Sequence, residues 1–291
     1  MRIIDPGTIP TAQMHQILVG SVAPRPIALV SSLSEDGIPN LAPYSFFNVF
    51  GSDPATAVFS SVRSIGTGEK KDTLRNVEAT RECVIHVVSH SILHQMALSS
   101  KNFPYEVDEF TKSGFTPIPS DKVKPPRVKE SPVHFECEVR DIYPLGSGGG
   151  GGSLIICNIL RVHVKEEIFT EEDKIDPQRL DLMGRMGRAF YCRAKGENVF
   201  PLYMPREEAC IGFDGLPPHI RHSSILTGND LGRLAALPAP PEPDHSLSSD
   251  PEVMDALAGN AQDRDKRLHL YAQDLIQKGE VEKAYQVLHE E

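Results

Sequence analysis

Residues 27–42, IALVSSLSEDGIPNLA, constrain the fold more than any other stretch. An apolar, β-rich run, the turn signal Glu35-Asp36-Gly37 and a second such run predict a hairpin with strands over 27–33 and 38–42. Pro24 and Pro26 hold the entry to it extended. Further strands are expected over 57–62, after Asp53-Pro54, and over 82–89 (ECVIHVVS). Two alternating runs, 133–145 and 153–169, flank the segment GSGGGGG at 146–152. This glycine run reads as a flexible hairpin connection. No GK[ST] follows it, and a strand comes next where a nucleotide fingerprint demands a helix. Short helices are expected over 11–18, with Met14, Ile17 and Leu18 inward, over 73–80 and over 92–99. From Asp176 a short helix or turn leads to a compact strand. Strands joined mostly by hairpins, without regular strand–helix alternation, argue against a doubly wound parallel sheet. They predict a mainly β fold, an antiparallel barrel with flanking helices.

The composition changes near Pro238. LPAPPEPD is a proline-rich linker, and residues 238–291 carry 12 acidic and 5 basic side chains, −7 of the chain's −10. Two helices around Gly279, over 263–278 and 280–290, predict an αα-hairpin in which Leu268, Tyr271, Leu275 and Ile276 face Ala284, Tyr285 and Leu288. The expected division is a barrel domain over 1–210, an ordered arm over 211–237, the linker over 238–250, and an acidic helical tail over 251–291. The overall negative charge argues against a general nucleic-acid binder. No apolar run approaches the roughly 20 residues that span a bilayer, and no signal peptide is recognisable. Five scattered cysteines without a CxxC pair fit reduced thiols in a cytoplasmic protein.

Two stretches invite a ligand. NLAPYSFFN (40–48) mixes amides and hydroxyls with flat apolar rings, which suits a planar ligand with polar edges. It reads equally as a strand end with two buried phenylalanines. Lys70 and Lys71 precede a helix start that Asp72 or Thr73 would cap. Free N–H groups beside cations make an anion site, and a plain capped helix with solvated lysines is the competing reading. His86, His90 and His94 recur every four residues, but His86 falls in a predicted strand and no thiol or carboxylate joins them, so no metal site is assigned. His219 and His222 are similarly isolated. No nucleophile signature is present, and no catalytic side chain is assigned.

The ordered series SVAPRPIALVSSLSEDGIPNLAPYSFFNVFGSDPATAVFSS, KKDTLRNVEATRECVIHVV and GRMGRAFYCR resembles the flavin reductase-like (FMN-binding split-barrel) family. The likeness is to the branch of flavoredoxins and of reductase partners in two-component monooxygenases, and it covers roughly residues 15–205. It implies a six-stranded antiparallel split barrel and a homodimer with one FMN per subunit near the dimer interface. By motif position, Ala42, Pro43, Tyr44, Ser45 and Asn48 would contact the isoalloxazine and ribityl groups. Ser60, Ser61 and Arg63 would lie near the ribityl chain or phosphate, unless the loop over 64–69 turns Arg63 away. Lys71, Asp72 and Thr73 would bind the phosphate. The glycine run and the acidic tail lie outside the family pattern.

The resemblance implies an NAD(P)H:flavin oxidoreductase, with FMN as cofactor, NAD(P)H as co-substrate, and a monooxygenase or another electron acceptor as partner. The cofactor would carry the chemistry. Two alternatives stay open: an FMN electron carrier without hydride chemistry of its own, and a non-enzymatic FMN-binding or interaction module.

Overall fold

The computed structural model describes residues 1–202, 209–244, 247–258 and 261–289. The chain forms two compact units, Met1–Phe200 and Pro201–Glu291.

The first unit opens with α1 (Thr11–Ser21). It continues through β1 (Ala28–Leu33), β2 (Pro39–Tyr44), β3 (Phe47–Ser52) and β4 (Ala55–Val62) to α2 (Asp72–Thr80) and β5 (Glu82–Val87). Then come α3 (Leu93–Ser99), α4 (Glu109–Ser113), the two-residue strands β6 (Pro117–Ile118) and β7 (Arg127–Val128), and the long pair β8 (Val133–Pro144) and β9 (Gly152–Val164). Last are α5 (Pro177–Leu180), β10 (Leu182–Arg185) and β11 (Tyr191–Ala194). The predicted hairpin forms with Ala28 opposite Tyr44 and Leu33 opposite Pro39. Gly37 sits in its turn at φ +80°, a conformation glycine adopts without penalty.

The main sheet holds seven antiparallel strands in the order β2-β1-β5-β8-β9-β4-β3, not the expected six. The extra strand arises because Ser45 and Phe46 break the stretch 40–48 between two strands. β2 and β3 stand at opposite ends of the strand order, yet three peptide steps join them, a reach of at most about 11 Å. The sheet must therefore curl until its two edges meet, and the Ser60 N–H donates to the Phe46 carbonyl at 2.8 Å near that seam. The interior is filled by alternate residues of five strands: Ala28 and Val30, Ala57 and Phe59, Cys83 and Ile85, Cys137 and Val139, Ile155 and Cys157. This is the period of two that a pleated strand imposes. The residue between the first pair, Leu29, points the other way and packs with Leu41, Met96 and Phe110 beneath α3 and α4.

α1 differs from expectation. It runs three residues further, and Val19 is its buried residue, whereas Leu18 is 52% exposed. The helix is only half covered, and Met14 and Leu18 border an apolar surface cavity instead of the core.

The second unit is helical: α6 (Gly212–Gly215), α7 (Pro218–Arg221), α8 (Gly228–Ala235), α9 (Pro251–Leu257), α10 (Ala261–Lys278) and α11 (Val281–Val287). α10 and α11 turn at Gly279 and bury Leu268, Leu275, Ile276, Ala284, Tyr285 and Leu288 together. The segment expected as an arm over 211–237 shares this core through Leu216, Ile220, Leu231 and Leu234. Its apolar side chains are therefore covered by the tail helices. Residues 203–208, just before the expected barrel end at 210, and Glu290, the expected end of the last helix, lie outside the described residues.

His86 is fully buried on β5. Its Nε2 accepts from the Val128 N–H at 2.9 Å, so its Nδ1 carries the proton and donates to the Leu29 carbonyl at 2.7 Å. Burial, the largest cause, pushes its pKa down to about 3, and burial likewise lowers neighbouring His134 to about 4. Each pKa lies below the unfolded value near 6.5, so the unfolded chain binds more protons between the two. The stability these neutral rings support is complete above about pH 6.5 and falls as pH drops toward 4, by at most about 1.4 kcal/mol per pH unit for each ring. Urea unfolding of wild type and His86→Asn between pH 7.5 and 4.5 checks this: the variant should be less stable at pH 7.5 but lose less on acidification, its slope reduced by about one proton.

Candidate functional site

α2 is the element that builds the site. Leu74 and Val77 anchor its buried face in the barrel interior cluster. Its polar buried residues are held by a network. The Thr73 hydroxyl donates to Asn40 Oδ1 at 2.6 Å, and Asn76 Nδ2 donates to Ser32 Oγ at 3.1 Å. Asn40 Nδ2 in turn donates to Glu109 Oε2 at 3.3 Å, which also accepts the Leu41 N–H at 3.1 Å. The network joins β1, β2, α2 and α4.

Lys71 occupies the N-cap position of α2, and no side chain caps the helix. The first N–H groups to find acceptors are those of Leu74 and Arg75, both on the Lys71 carbonyl. The N–H groups of Asp72 and Thr73 have no acceptor among the described residues. Asp72 and Thr73 line a cavity of about 490 Å³ together with Ala42, Pro43, Tyr44 and Lys71, and with Asn40, Glu109 and the loop residues Ser64, Thr67 and Glu69. Lys70 is tied to Glu78 at 2.6 Å, and Asp72 to Arg75 at 3.1 Å. Lys71 has no carboxylate partner among the described residues and stands 5.9 Å over the Tyr44 ring. Desolvation lowers its pKa. Burial is also the main cause that raises the pKa of Glu109 and pushes that of Tyr44 up to about 12.

The Tyr44 and Ser61 hydroxyls are buried and have no hydrogen-bond partner among the described residues. The Thr73 and Ser61 hydroxyls lie near enough to Tyr44 to oppose its pKa shift without reaching bonding geometry. A buried hydroxyl without a partner is a standing cost of about 1–3 kcal/mol.

Six of the eleven residues named by motif position thus line one cavity: Ala42, Pro43, Tyr44, Lys71, Asp72 and Thr73. Ser61 lies behind Tyr44. The others sit elsewhere in the first unit. Ser60 lines the apolar cavity of about 360 Å³ beside α1, with Phe46. Ser45 Oγ accepts from Arg25 Nε at 3.4 Å. Asn48 is exposed, and its Oδ1 accepts the adjacent Val49 N–H at 2.8 Å. Arg63 is folded back on its own loop, with Nη1 donating to the Gly68 carbonyl at 3.2 Å and its buried Nε without a partner. Glu109 and the segment 99–105 also border the cavity and carry no motif signal. The cue for α4 is Asp108 as N-cap with Gly114 just past the helix end.

Among the described residues, Asp121, Glu136 and His163 form the one group of acids, thiols and imidazoles close enough to share a metal ion. Glu136 already accepts the N–H groups of Asp121 and Lys122 and His163 Nε2, and Arg161 holds Asp121 at 2.8 Å. The cluster is therefore an ion-pair network. Both ring nitrogens of His86 are likewise engaged.

The pattern of the flavin reductase like domain matches residues 19–183, more than half of the chain, and the chain belongs to that family. A protein of Aquifex aeolicus is 37% identical over 184 residues, 63% of this chain and 91% of that one. Nitrilotriacetate monooxygenase component B from Bacillus cereus superposes with a TM-score of 0.65 at 31% identity, covering 69% of this chain and 98% of its own. The 2-nitrobenzoate 2-nitroreductase of Pseudomonas fluorescens gives 0.61 at 30%, covering 71% and 98%.

Tyr44→Phe removes a buried hydroxyl that lacks a partner, whereas Asn40→Ala strips partners from Thr73 and Glu109. In ligand-free protein the first should raise unfolding stability by about 1 kcal/mol and the second lower it by about 1–3 kcal/mol, measured by denaturant titration.

Proposed function

We propose that this member of the flavin reductase-like family binds FMN in the cavity at the start of α2 and reduces it with NAD(P)H. The observation that carries the reading is a single juxtaposition. A helix start with no side-chain cap, two N–H groups and a lysine without partners among the described residues lines one cavity with Pro43 and the Tyr44 ring. A dianionic phosphate suits the first feature and a polar-edged ring system or ribityl chain suits the second. The redox chemistry would be supplied by the flavin when bound, as acceptor of a hydride from reduced nicotinamide and donor of electrons to a second protein.

The side chains of this chain have binding and orienting tasks. Lys71 and the N–H groups of Asp72 and Thr73 neutralise the phosphate. The Asn40–Thr73 bond keeps the helix start in register with β2. Pro43 and the Tyr44 ring form an apolar wall that excludes water, and the Tyr44 hydroxyl remains a proton donor because its pKa is pushed to about 12. No protein nucleophile is needed. The adjacent Val49 and Phe50 on β3 are exposed, at 56% and 69%, which supports a homodimer. The monooxygenase component among the similar structures supports an electron-accepting enzyme as partner.

Flavin-free protein titrated with FMN should quench flavin fluorescence at one site per chain. Lys71→Ala should weaken FMN by about tenfold, the loss of about 1.4 kcal/mol, and leave riboflavin, which lacks the phosphate, unchanged. Failure to take up FMN would sink the reading. Uptake without bleaching on anaerobic NADH or NADPH would leave the electron-carrier alternative.

A further inference from the structure

The glycine run at 146–152 suggests, by its composition and length, a slack connection. Its geometry is the opposite. The Arg63 N–H donates to the Gly151 carbonyl at 2.9 Å, and the Gly150 N–H donates to the Arg63 carbonyl at 3.2 Å. Arg63 is the residue at which β4 passes into the loop over 64–69. The turn is seated against that loop without room for a side chain. A Cβ on Gly149 would stand 2.5 Å from the Ile65 carbonyl oxygen and 3.1 Å from that of Ser64. Gly150 has φ +84°, and its Cβ would meet Thr11 Cγ2 at 2.8 Å. The gripped loop is closed on itself by Ser64 N–H to the Glu69 carbonyl at 3.1 Å, Gly68 N–H to the Ser64 carbonyl at 2.8 Å, and the Arg63 guanidinium to the Gly68 carbonyl. It therefore moves as one piece, and Ser64, Thr67 and Glu69 from it line the cavity at the start of α2.

We infer that the glycine-rich turn is a positioning element of the flavin cavity: by pinning the Arg63 backbone and seating on Ile65, it fixes the distance between the 64–69 wall and the start of α2. The inference rests on the flavin reading for the identity of the ligand, and on geometry alone for the clamp. Glycine at 149 is then a steric requirement of the contact with the loop, and at 150 of the contact with Thr11. Each residue that faces the loop must bring its backbone where a side chain would collide. The turn touches no ligand and acts through the loop. A shift of the wall by an ångström is enough to weaken a fitted site.

Gly149→Ala tests the clamp against Gly148→Ala, where an added Cβ meets nothing within 4 Å and no positive φ is required. Amide hydrogen exchange on the flavin-free variants and FMN titration are the two readouts. Gly149→Ala should speed exchange at Arg63, Gly68 and Gly150 by at least about tenfold, leave the core amides of Leu29 and Ile85 protected, and raise the FMN Kd at least about fivefold. Gly148→Ala should stay within about twofold of wild type on both. Unchanged exchange and affinity in Gly149→Ala would overturn the inference. So would loss of protection that spreads equally to Leu29 and Ile85, since the turn would then be a general stabiliser. A wild-type protein that takes up no FMN would defeat the flavin reading by itself, and the exchange comparison would still decide whether the turn holds the loop.

Discussion

One buried amide sets where the ligand end of the cavity lies. Asn40, 9% exposed on β2, accepts from Thr73 and donates to Glu109, residues 33 and 69 positions away along the chain. In a low-dielectric interior such bonds are strong and costly to leave unmade. The amide therefore fixes two helices to one strand at once. α2 could slide along the barrel on its apolar contacts alone, since Leu74 and Val77 specify burial but not register. The Thr73–Asn40 and Asn76–Ser32 bonds add the register. They bring the free N–H groups of the helix start level with Tyr44.

That arrangement explains which parts of the molecule could be read from the sequence. The hairpin over β1 and β2 rests on local turn chemistry, and the interior of the barrel on alternation. Both are short-range signals, and Ala28, Val30, Phe59 and Ile85 obey them. The lysines before α2 were legible for the same reason, because cations beside a helix start are a local pattern, although the expected cap at Asp72 or Thr73 does not form: Lys71 holds the N-cap position and no side chain caps the helix. What escaped depends on long-range closure. Nothing within residues 40–48 says that Ser45 and Phe46 carry the chain from one edge of the sheet to the other, so the stretch looks like one strand end where it is two edges. The closure also explains why Ser45 and Asn48 stand apart from Tyr44 despite being its neighbours in sequence. Glu109 lies in a proline-rich region whose only periodic signal is a five-residue helix. The second unit shows the same limit: the apolar residues at 216–234 mark something to be buried, but not that the tail helices bury it.

The charges around the cavity have a consistent division of labour. Of the groups at the start of α2, Lys70 is held by Glu78 and Asp72 by Arg75, and these exposed pairs neutralise each other locally. Burial raises the pKa of Glu109, while the Leu41 N–H and Asn40 Nδ2 donate to its carboxylate. What remains uncompensated is Lys71 and the positive end of the helix. Desolvation without a counter-charge disfavours the ammonium, as the direction of its pKa shift requires. An anion arriving at the helix start would meet two N–H groups without acceptors among the described residues and a lysine without a counter-charge. The Tyr44 and Ser61 hydroxyls are different: both oxygens are closed off from the surface, so their missing partners are a cost within the fold. What the cavity leaves open to an arriving group is the helix start, where negative charge is complementary.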